Sequence, residues 1–234
     1  MKLIGLLGGL GWESTSLYYR MLNEFTQRQL GERQAARVLL HSVNNGVVSD
    51  AINKGDVDQV ISVRSDAARS LKDGGADFMV MASNSMHQYA EDIEQASGLE
   101  LLHISDPIST EVRQAGHQTV ALPGTRQTME GDFYSERLQT QAGAEGIAPE
   151  LSERVEVDRV IVEELGRGVM QIGSREFIGE LIRKLGDRGA EAVILGCSEL
   201  TSVITPDRAA IQFYDTTRLH AKAAVKRALE VTYA

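Results

Sequence analysis

The sequence predicts an α/β protein built as two similar halves, each with its own parallel sheet. Three observations carry this. Apolar runs of four to six residues alternate with helix-patterned segments through the 234 residues, which is the pattern of βαβ units. A stretch around the single cysteine, GAEAVILGCSEL at Gly189 to Leu200, repeats an upstream stretch at a spacing of 114 residues. Arg69, Leu71, Asp73, Gly75 and Ala76 match Arg183, Leu185, Asp187, Gly189 and Ala190, and Asp77 matches Glu191. In a second echo, at 116 residues, Ile4, Leu6, Gly8 and Tyr18 match Val120, Leu122, Gly124 and Tyr134. The period is too long for a solenoid and points to two domains related by a pseudo-two-fold axis. In the 114-residue register Cys197 falls on Ser83.

Taken in order, Lys2 to Leu7 reads as a buried strand running into the glycine turn Gly8, Gly9 and Gly11. Leu17, Met21 and Phe25 then recur at helical spacing, with Ser14 or Thr15 as cap and Gly31 as stop. Val38 to His41 is a strand, Ser42 to Asp56 a polar loop, Val57 to Lys72 a helix and Phe78 to Ala82 a third strand. A helix over Met86 to Ala96 and a strand over Leu101 to Ile104 close the first set. The second set opens with the strand Thr119 to Leu122 and the turn Pro123, Gly124 and Thr125. Helices follow over Thr128 to Ala142, Glu150 to Leu165 and Arg175 to Leu185, with a short strand at Gly146 to Pro149. The strand Ala192 to Leu195 delivers Cys197, and a strand at Ile211 to Phe213 and a helix over Leu219 to Leu229 end the chain.

Composition narrows the function. A hydrophobic fraction of 42% and a charged fraction of 24% are those of an ordinary globular protein. A net charge of -9 argues against nucleic acid as a partner. No apolar run reaches the ~18 residues of a membrane span, so no membrane partner is expected. One cysteine excludes an internal disulfide framework and a cysteine-based zinc site, and a lone thiol suits a reducing, cytoplasmic compartment. Gly9, Gly11 and Ser14 lack the third glycine of a dinucleotide fingerprint, and no acid ends the second strand.

Ligands of open parallel sheets bind beyond the carboxyl ends of the strands, and Ser83 and Cys197 both stand at such ends. Two groups facing one carbon from opposite sides are what a stereochemical inversion needs. Asn84 and Ser85 follow one, Ser198 follows the other, and each set opens a predicted helix whose free N–H groups suit a carboxylate. The helix start is also expected to lower the pKa of Cys197. Thr125 and Arg126 add a hydroxyl and a cation at the other repeated turn, and Asn45 comes from the second loop. The bland readings are plain: lone cysteines are often simply buried, and Ser83, Asn84 and Ser85 are good capping residues. His87, His103 and His220 read as packed or hydrogen-bonded structural residues, and Glu199 as an acid that suits a helix start.

These residues resemble the cofactor-independent aspartate/glutamate racemase family over nearly the whole chain. The carriers are GLLGGLGWEST at Gly5 to Thr15, VLLHSV at Val38 to Val43, SNSMH at Ser83 to His87 and GTRQTMEGDFY at Gly124 to Tyr134. VEELGRG at Val162 to Gly168, GAEAVILGCSEL at Gly189 to Leu200 and YDTTRLHA at Tyr214 to Ala221 complete them. The resemblance implies two similar Rossmann-like α/β domains with the active site in the cleft between them. The first is expected over residues 1–98 with 208–234, the second over 99–207. It implies no pyridoxal phosphate, no metal and a homodimer. It also implies an acid/base pair of cysteines, one from each domain.

The second cysteine of that pair maps onto Cys197. The first maps onto Ser83, and a hydroxyl offers no comparable base at neutral pH. The leading expectation is therefore a racemase of aspartate and/or glutamate. In it Cys197 removes the α-proton, and Ser83 supplies or relays its return, with weakened or one-directional turnover. Asn84, Ser85 and Ser198 are expected on the α-carboxylate, with Thr125, Arg126 and Asn45 on the remaining polar groups. A one-thiol isomerase or decarboxylase of small dicarboxylates stays open, as does an inactive amino-acid-binding homologue.

Overall fold

The computed structural model describes residues 1–203 and 211–230. The chain forms two compact units, Met1–His103 with the stretch from His220 on, and Ile104–Leu219. The domain boundaries expected at 98/99 and 207/208 compare with 103/104 and 219/220 for these units, and the second expected boundary lies outside the described residues.

The first unit holds a parallel sheet of β1 (Ile4–Gly8), β2 (Val38–Ser42) and β3 (Phe78–Met81), in the order β2-β1-β3. Its helices are α1 (Trp12–Leu30), α2 (Asn45–Lys54), α3 (Val57–Asp73) and α4 (Ala90–Ser97). The second unit holds β4 (Thr119–Ala121), β5 (Glu145–Ile147), β6 (Ala192–Leu195) and β7 (Gln212–Asp215), all parallel, in the order β5-β4-β6-β7. Its helices are α5 (Ser105–Ala115), α6 (Arg126–Glu130), α7 (Asp132–Ala142), α8 (Leu151–Arg159) and α9 (Ile172–Asp187). The last helix, α10 (Thr216–Leu229), begins in the second unit and joins the first at His220.

The strands β1, β3 and β6 are buried at every position because each sheet is covered on both faces. Ile4, Leu6, Phe78 and Val80 pack with α1 and α10 through Tyr18, Leu22, Ala221 and Val225. Their neighbours Leu7, Met79 and Met81 pack on the opposite face with α3 and α4. The second sheet repeats this: Val120, Ala192 and Ile194 pack with α5 and α7, and Ala121, Val193 and Leu195 with α8 and α9.

The two echoes are the same structural joint made twice. Ile4 pairs with Phe78, and Val120 with Ala192. Asp77 accepts from the Leu3 N–H at 2.5 Å and donates its own N–H to the Leu3 carbonyl at 2.9 Å. Glu191 accepts from the Thr119 N–H at 3.0 Å and donates its N–H to the Thr119 carbonyl at 2.9 Å. Each acid thus locks the entry of a central strand to the strand that carries a candidate site residue.

Several elements differ from expectation. The polar loop after β2 contains α2, capped by the Asn44 side chain on the Gly46 N–H at 3.0 Å. The expected helix over Thr128 to Ala142 is broken at Gly131 into α6 and α7. The segment after Ser83 opens with a 3-10 turn, Ser85–Tyr89, before α4. Beyond α8 the helix continues as a π-turn, Val160–Glu164, which brings the buried Glu164 onto Arg159 and Ser174. The expected strand at Leu101 to Ile104 is a single bridge from Leu101 to Met79. The helix α5 had no expectation, although Ile108 and Val112 bury one of its faces.

The first glycine turn is held by a threonine. Gly9 has φ 83, which favours glycine, and its N–H donates to Thr15 Oγ1 at 2.9 Å. Thr15 Oγ1 donates in turn to the Gly11 carbonyl at 3.1 Å. Thr15→Val leaves the Gly9 donor unpaired and is expected to cost about 1–3 kcal/mol in urea unfolding. Thr15→Ser, which keeps the oxygen, is expected to cost less.

Candidate active site

In the second unit, β6 ends at Leu195, and Gly196 and Cys197 follow it out of the sheet. Gly196 lies beside Gly124 in a parallel bridge, and its N–H donates to the Pro123 carbonyl at 2.9 Å. A Cβ on Gly196 would lie 3.0 Å from the Pro123 oxygen and 2.9 Å from Thr128. This close approach brings the Thr125–Arg126 turn next to Cys197. The glycines that follow β4 and β6, Gly124 and Gly196, are therefore neighbours in space within this unit.

Cys197 is extended, with φ -152 and ψ 137, and precedes the short 3-10 turn Ser198–Ser202. Its side chain is buried and faces a carboxylate. The thiol donates to Glu199 Oε2 at 2.7 Å, and the Ser198 hydroxyl donates to the same oxygen at 2.8 Å. Burial pushes the Cys197 thiol well above the ordinary cysteine range, and the charge of Glu199 and its hydrogen bond push it further. The Glu199 backbone N–H partly opposes this, while Asp158 adds a smaller like-charge contribution. The expected lowering by a helix start is thus reversed. The turn is too short to present much dipole, and the nearest charge is an anion.

Thr125 shares a hydrogen bond with Thr128, oxygen to oxygen at 3.1 Å, and stands at the N-cap position of α6 without a side-chain capping bond. The Arg126 N–H donates to Asp158 at 2.7 Å. Its guanidinium is exposed and paired with Glu130 at 2.9 Å, which holds it above its ordinary pKa.

In the first unit, β3 ends at Met81, and Ala82 donates its N–H to the Leu7 carbonyl at 2.9 Å. The Ser14 hydroxyl donates to the Ala82 carbonyl at 3.3 Å. Ser83 and Ser85 are half-buried, and Asn84 is buried. The Ser83 carbonyl accepts from His87 Nδ1 at 2.7 Å. A carbonyl only accepts, so Nδ1 carries the proton. Burial holds the His87 imidazole well below its ordinary pKa, with smaller contributions from His103 and His220, and the ring is neutral. Its centroid lies 4.7 Å from that of His103 and 5.6 Å from that of His220. His220 accepts from the Tyr18 hydroxyl at 2.8 Å and donates to the Leu102 carbonyl at 2.8 Å. The three histidines form the floor under the Ser83 turn. Asn45 is exposed in the first turn of α2, beyond β2 at the same end of the sheet.

Two functional candidates were not singled out from the sequence. Glu199 reads there as an acid at a helix start; the signal that finds it is its place two residues after the only cysteine. His87 reads as packing, and only the fold shows that it holds the Ser83 backbone. Among the described residues, no group of three or more histidine, cysteine, aspartate and glutamate side chains is placed to hold a metal ion.

A buried thiol hydrogen-bonded to a carboxylate, at the carboxyl end of a parallel strand, is equipment for moving protons. The fold carrying it is a two-unit α/β protein. The profile of the Asp/Glu/Hydantoin racemase family matches residues 7–224, and the chain belongs to this family of isomerases, enzymes that racemise amino acids. It is 24% identical over 229 residues to the broad specificity amino-acid racemase RacX of Bacillus subtilis, covering 95% of this chain and 96% of that one. A crystal structure from Yersinia pestis, assigned as an Asp/Glu racemase, is 41% identical with a TM-score of 0.92, over 98% of this chain and 100% of that chain. An aspartate racemase homologue from Pyrococcus horikoshii is 28% identical with a TM-score of 0.83, over 98% and 100% of the two chains.

The electrostatics of Cys197 give a direct test. Iodoacetamide alkylation is expected to be slow at neutral pH and to accelerate only above the ordinary cysteine range. Glu199→Gln removes the facing charge and so lowers the thiol pKa. Alkylation at neutral pH is expected to become several-fold faster, with the midpoint of the rate against pH displaced downward.

Proposed function

We propose that the chain is a cofactor-independent racemase of aspartate and/or glutamate, with Cys197 as acid/base. The observation that carries the reading is the 2.7 Å contact from the Cys197 thiol to Glu199. Glu199 takes the thiol proton, and the thiolate removes the α-proton of the substrate. The electron pair left on the α-carbon delocalises into the α-carboxylate. Asn84, Ser85 and Ser198 hold that carboxylate with side chains and turn N–H groups, as anions are held at helix starts. A proton returns to the opposite face through Ser83, directly or relayed by water. Thr125, Arg126 and Asn45 complete the proposed substrate contacts. Arg126 then exchanges its Glu130 partner for substrate.

Because a hydroxyl is a far weaker acid than a thiol, exchange is slower for the enantiomer that depends on Ser83. The domain limits of 1–98 with 208–234 and 99–207 belong to the same proposal, as do a cytoplasmic setting and a homodimer. Among the described residues no helix is long and apolar enough to cross a membrane.

A second reading is favoured by Ser83 itself. With one thiol and one hydroxyl, the same residues suit a one-thiol isomerase or decarboxylase of small dicarboxylates. It releases carbon dioxide, or moves a double bond, without exchanging the α-hydrogen.

α-Hydrogen exchange in deuterated water, followed by NMR for each enantiomer of aspartate and glutamate, separates the readings. Cys197→Ala is expected to abolish exchange, and full exchange in that variant would sink the mechanism. Ser83→Cys is expected to make the two directions more nearly equal. Glu199→Gln is expected to lower kcat by about 10²–10⁴-fold with little change in KM, although it makes the thiol easier to alkylate. Those opposed effects distinguish loss of a proton acceptor from a general disturbance of the turn.

A further inference from the structure

Among its described residues, the first unit contains a buried cation with no anion paired to it. Arg64 lies on the inner face of α3 and is 0% exposed. Its Nη1 donates to the Val60 carbonyl of its own helix at 2.7 Å. Its Nη2 rests against the thioether sulfur of Met86, and its Nε has no hydrogen-bond partner. Five N–H donors therefore meet one oxygen among the described residues. Burial pushes the guanidinium down to about 10, partly countered by Tyr89, so it is still charged at neutral pH. Buried charges in native proteins are ordinarily paired, because an unpaired one loses its hydration without recompense. Ion pairs are plentiful elsewhere on this chain, at Arg137 with Asp106 and at Arg159 with Glu164.

The position of Arg64 says where its partner belongs. Met86 lies in the turn Ser85–Tyr89, directly after Ser83 and Asn84. The guanidinium therefore sits beneath the turn proposed to hold the α-carboxylate, and one flexible side chain covers Nη2. A methionine is unbranched and changes rotamer readily.

We infer that Arg64 is an anion-binding residue of the first unit, which receives the side-chain carboxylate of a dicarboxylic amino acid when Met86 swings aside. This deepens the racemase reading and rests on it. It assigns the group that selects an acidic substrate, whereas Asn84 and Ser85 serve the α-carboxylate that every amino acid carries. A free inorganic anion would satisfy the same charge.

Succinate is the probe, being a dicarboxylate without an amino group and so not turned over. Propionate and phosphate are the comparisons. Thermal melts and calorimetry are run on the full chain, with Arg64→Met, Arg64→Lys and Met86→Ala. Succinate is expected to raise the Tm of the unaltered chain, with propionate and phosphate much weaker. The succinate shift is expected to vanish in Arg64→Met and to return in part in Arg64→Lys.

The ligand-free Tm of Arg64→Met is expected to be unchanged or higher, since the variant removes an unpaired buried charge. In α-hydrogen exchange, Arg64→Met is expected to raise KM for aspartate at least tenfold, with kcat changing much less. Met86→Ala, which leaves the guanidinium in place, is expected to tighten succinate at least threefold. Should Arg64→Met fail to fold, this variant and Arg64→Lys still decide the matter.

The inference is overturned if Arg64→Met keeps the succinate shift and the KM, or if phosphate binds as tightly as succinate. It is also overturned if Met86→Ala leaves succinate affinity unchanged. Failure of the racemase reading looks different: no α-hydrogen exchange with either amino acid, while succinate still binds through Arg64.

Discussion

The pairing of each central strand with the strand that follows it in space carries most of this structure. β1 pairs with β3, and β4 with β6. In both joints an acid at the entry of the partner strand, Asp77 before β3 or Glu191 before β6, accepts from the backbone at the entry of β1 or β4. A slip of one residue would exchange the two faces of the strand. Both faces are buried, so the register is strongly set. It also decides where the strands stop, and hence where Ser83 and Cys197 emerge. The close approach of Gly124 and Gly196 is a further consequence, since the strands meet at their ends without side chains between them.

On this repeated frame the two candidate residues have opposite surroundings. Cys197 faces an anion, and its thiol is held protonated by burial and by Glu199. A thiol in that state is a poised acid, and it becomes a base only by passing its proton to the carboxylate it already touches. Among the described residues, no acid is hydrogen-bonded to Ser83 as Glu199 is to Cys197. Its backbone is instead gripped by a neutral His87, itself packed against His103 and His220. That floor ties the turn to α10, which carries His220 into the first unit. One turn is thus built around proton affinity and the other around position, as a thiol and a hydroxyl require.

Strand and helix order were largely readable, because short apolar runs and helical spacing both survive in the sequence of a doubly covered sheet. Val38 to His41, Phe78 to Ala82 and Ala192 to Leu195 lie where the apolar runs put them. What failed was local chain geometry. Gly131 interrupts a continuous helical pattern, and the π-turn at Val160 extends one without changing its periodicity visibly. The α2 helix hides in a polar segment because its stability comes from the Asn44 cap and from burial of Val48 and Ala51, which leaves little apolar pattern.

By itself the sequence determined the class of protein. The double echo and the strand-to-turn motifs are local or periodic features, and they specify two α/β units and the family. It also marked Cys197 and its departure at Ser83, since residue identity at a repeated position needs no coordinates. The protonation of the thiol was decided by tertiary structure alone. A helix start directly after it argued for a lowered pKa, but burial and the carboxylate of Glu199 set it the other way. The same holds for Arg64, an unremarkable arginine in a helix until packing removes its water and supplies no anion. Charge and burial are sums over neighbours brought together by the fold, and residue order does not contain them.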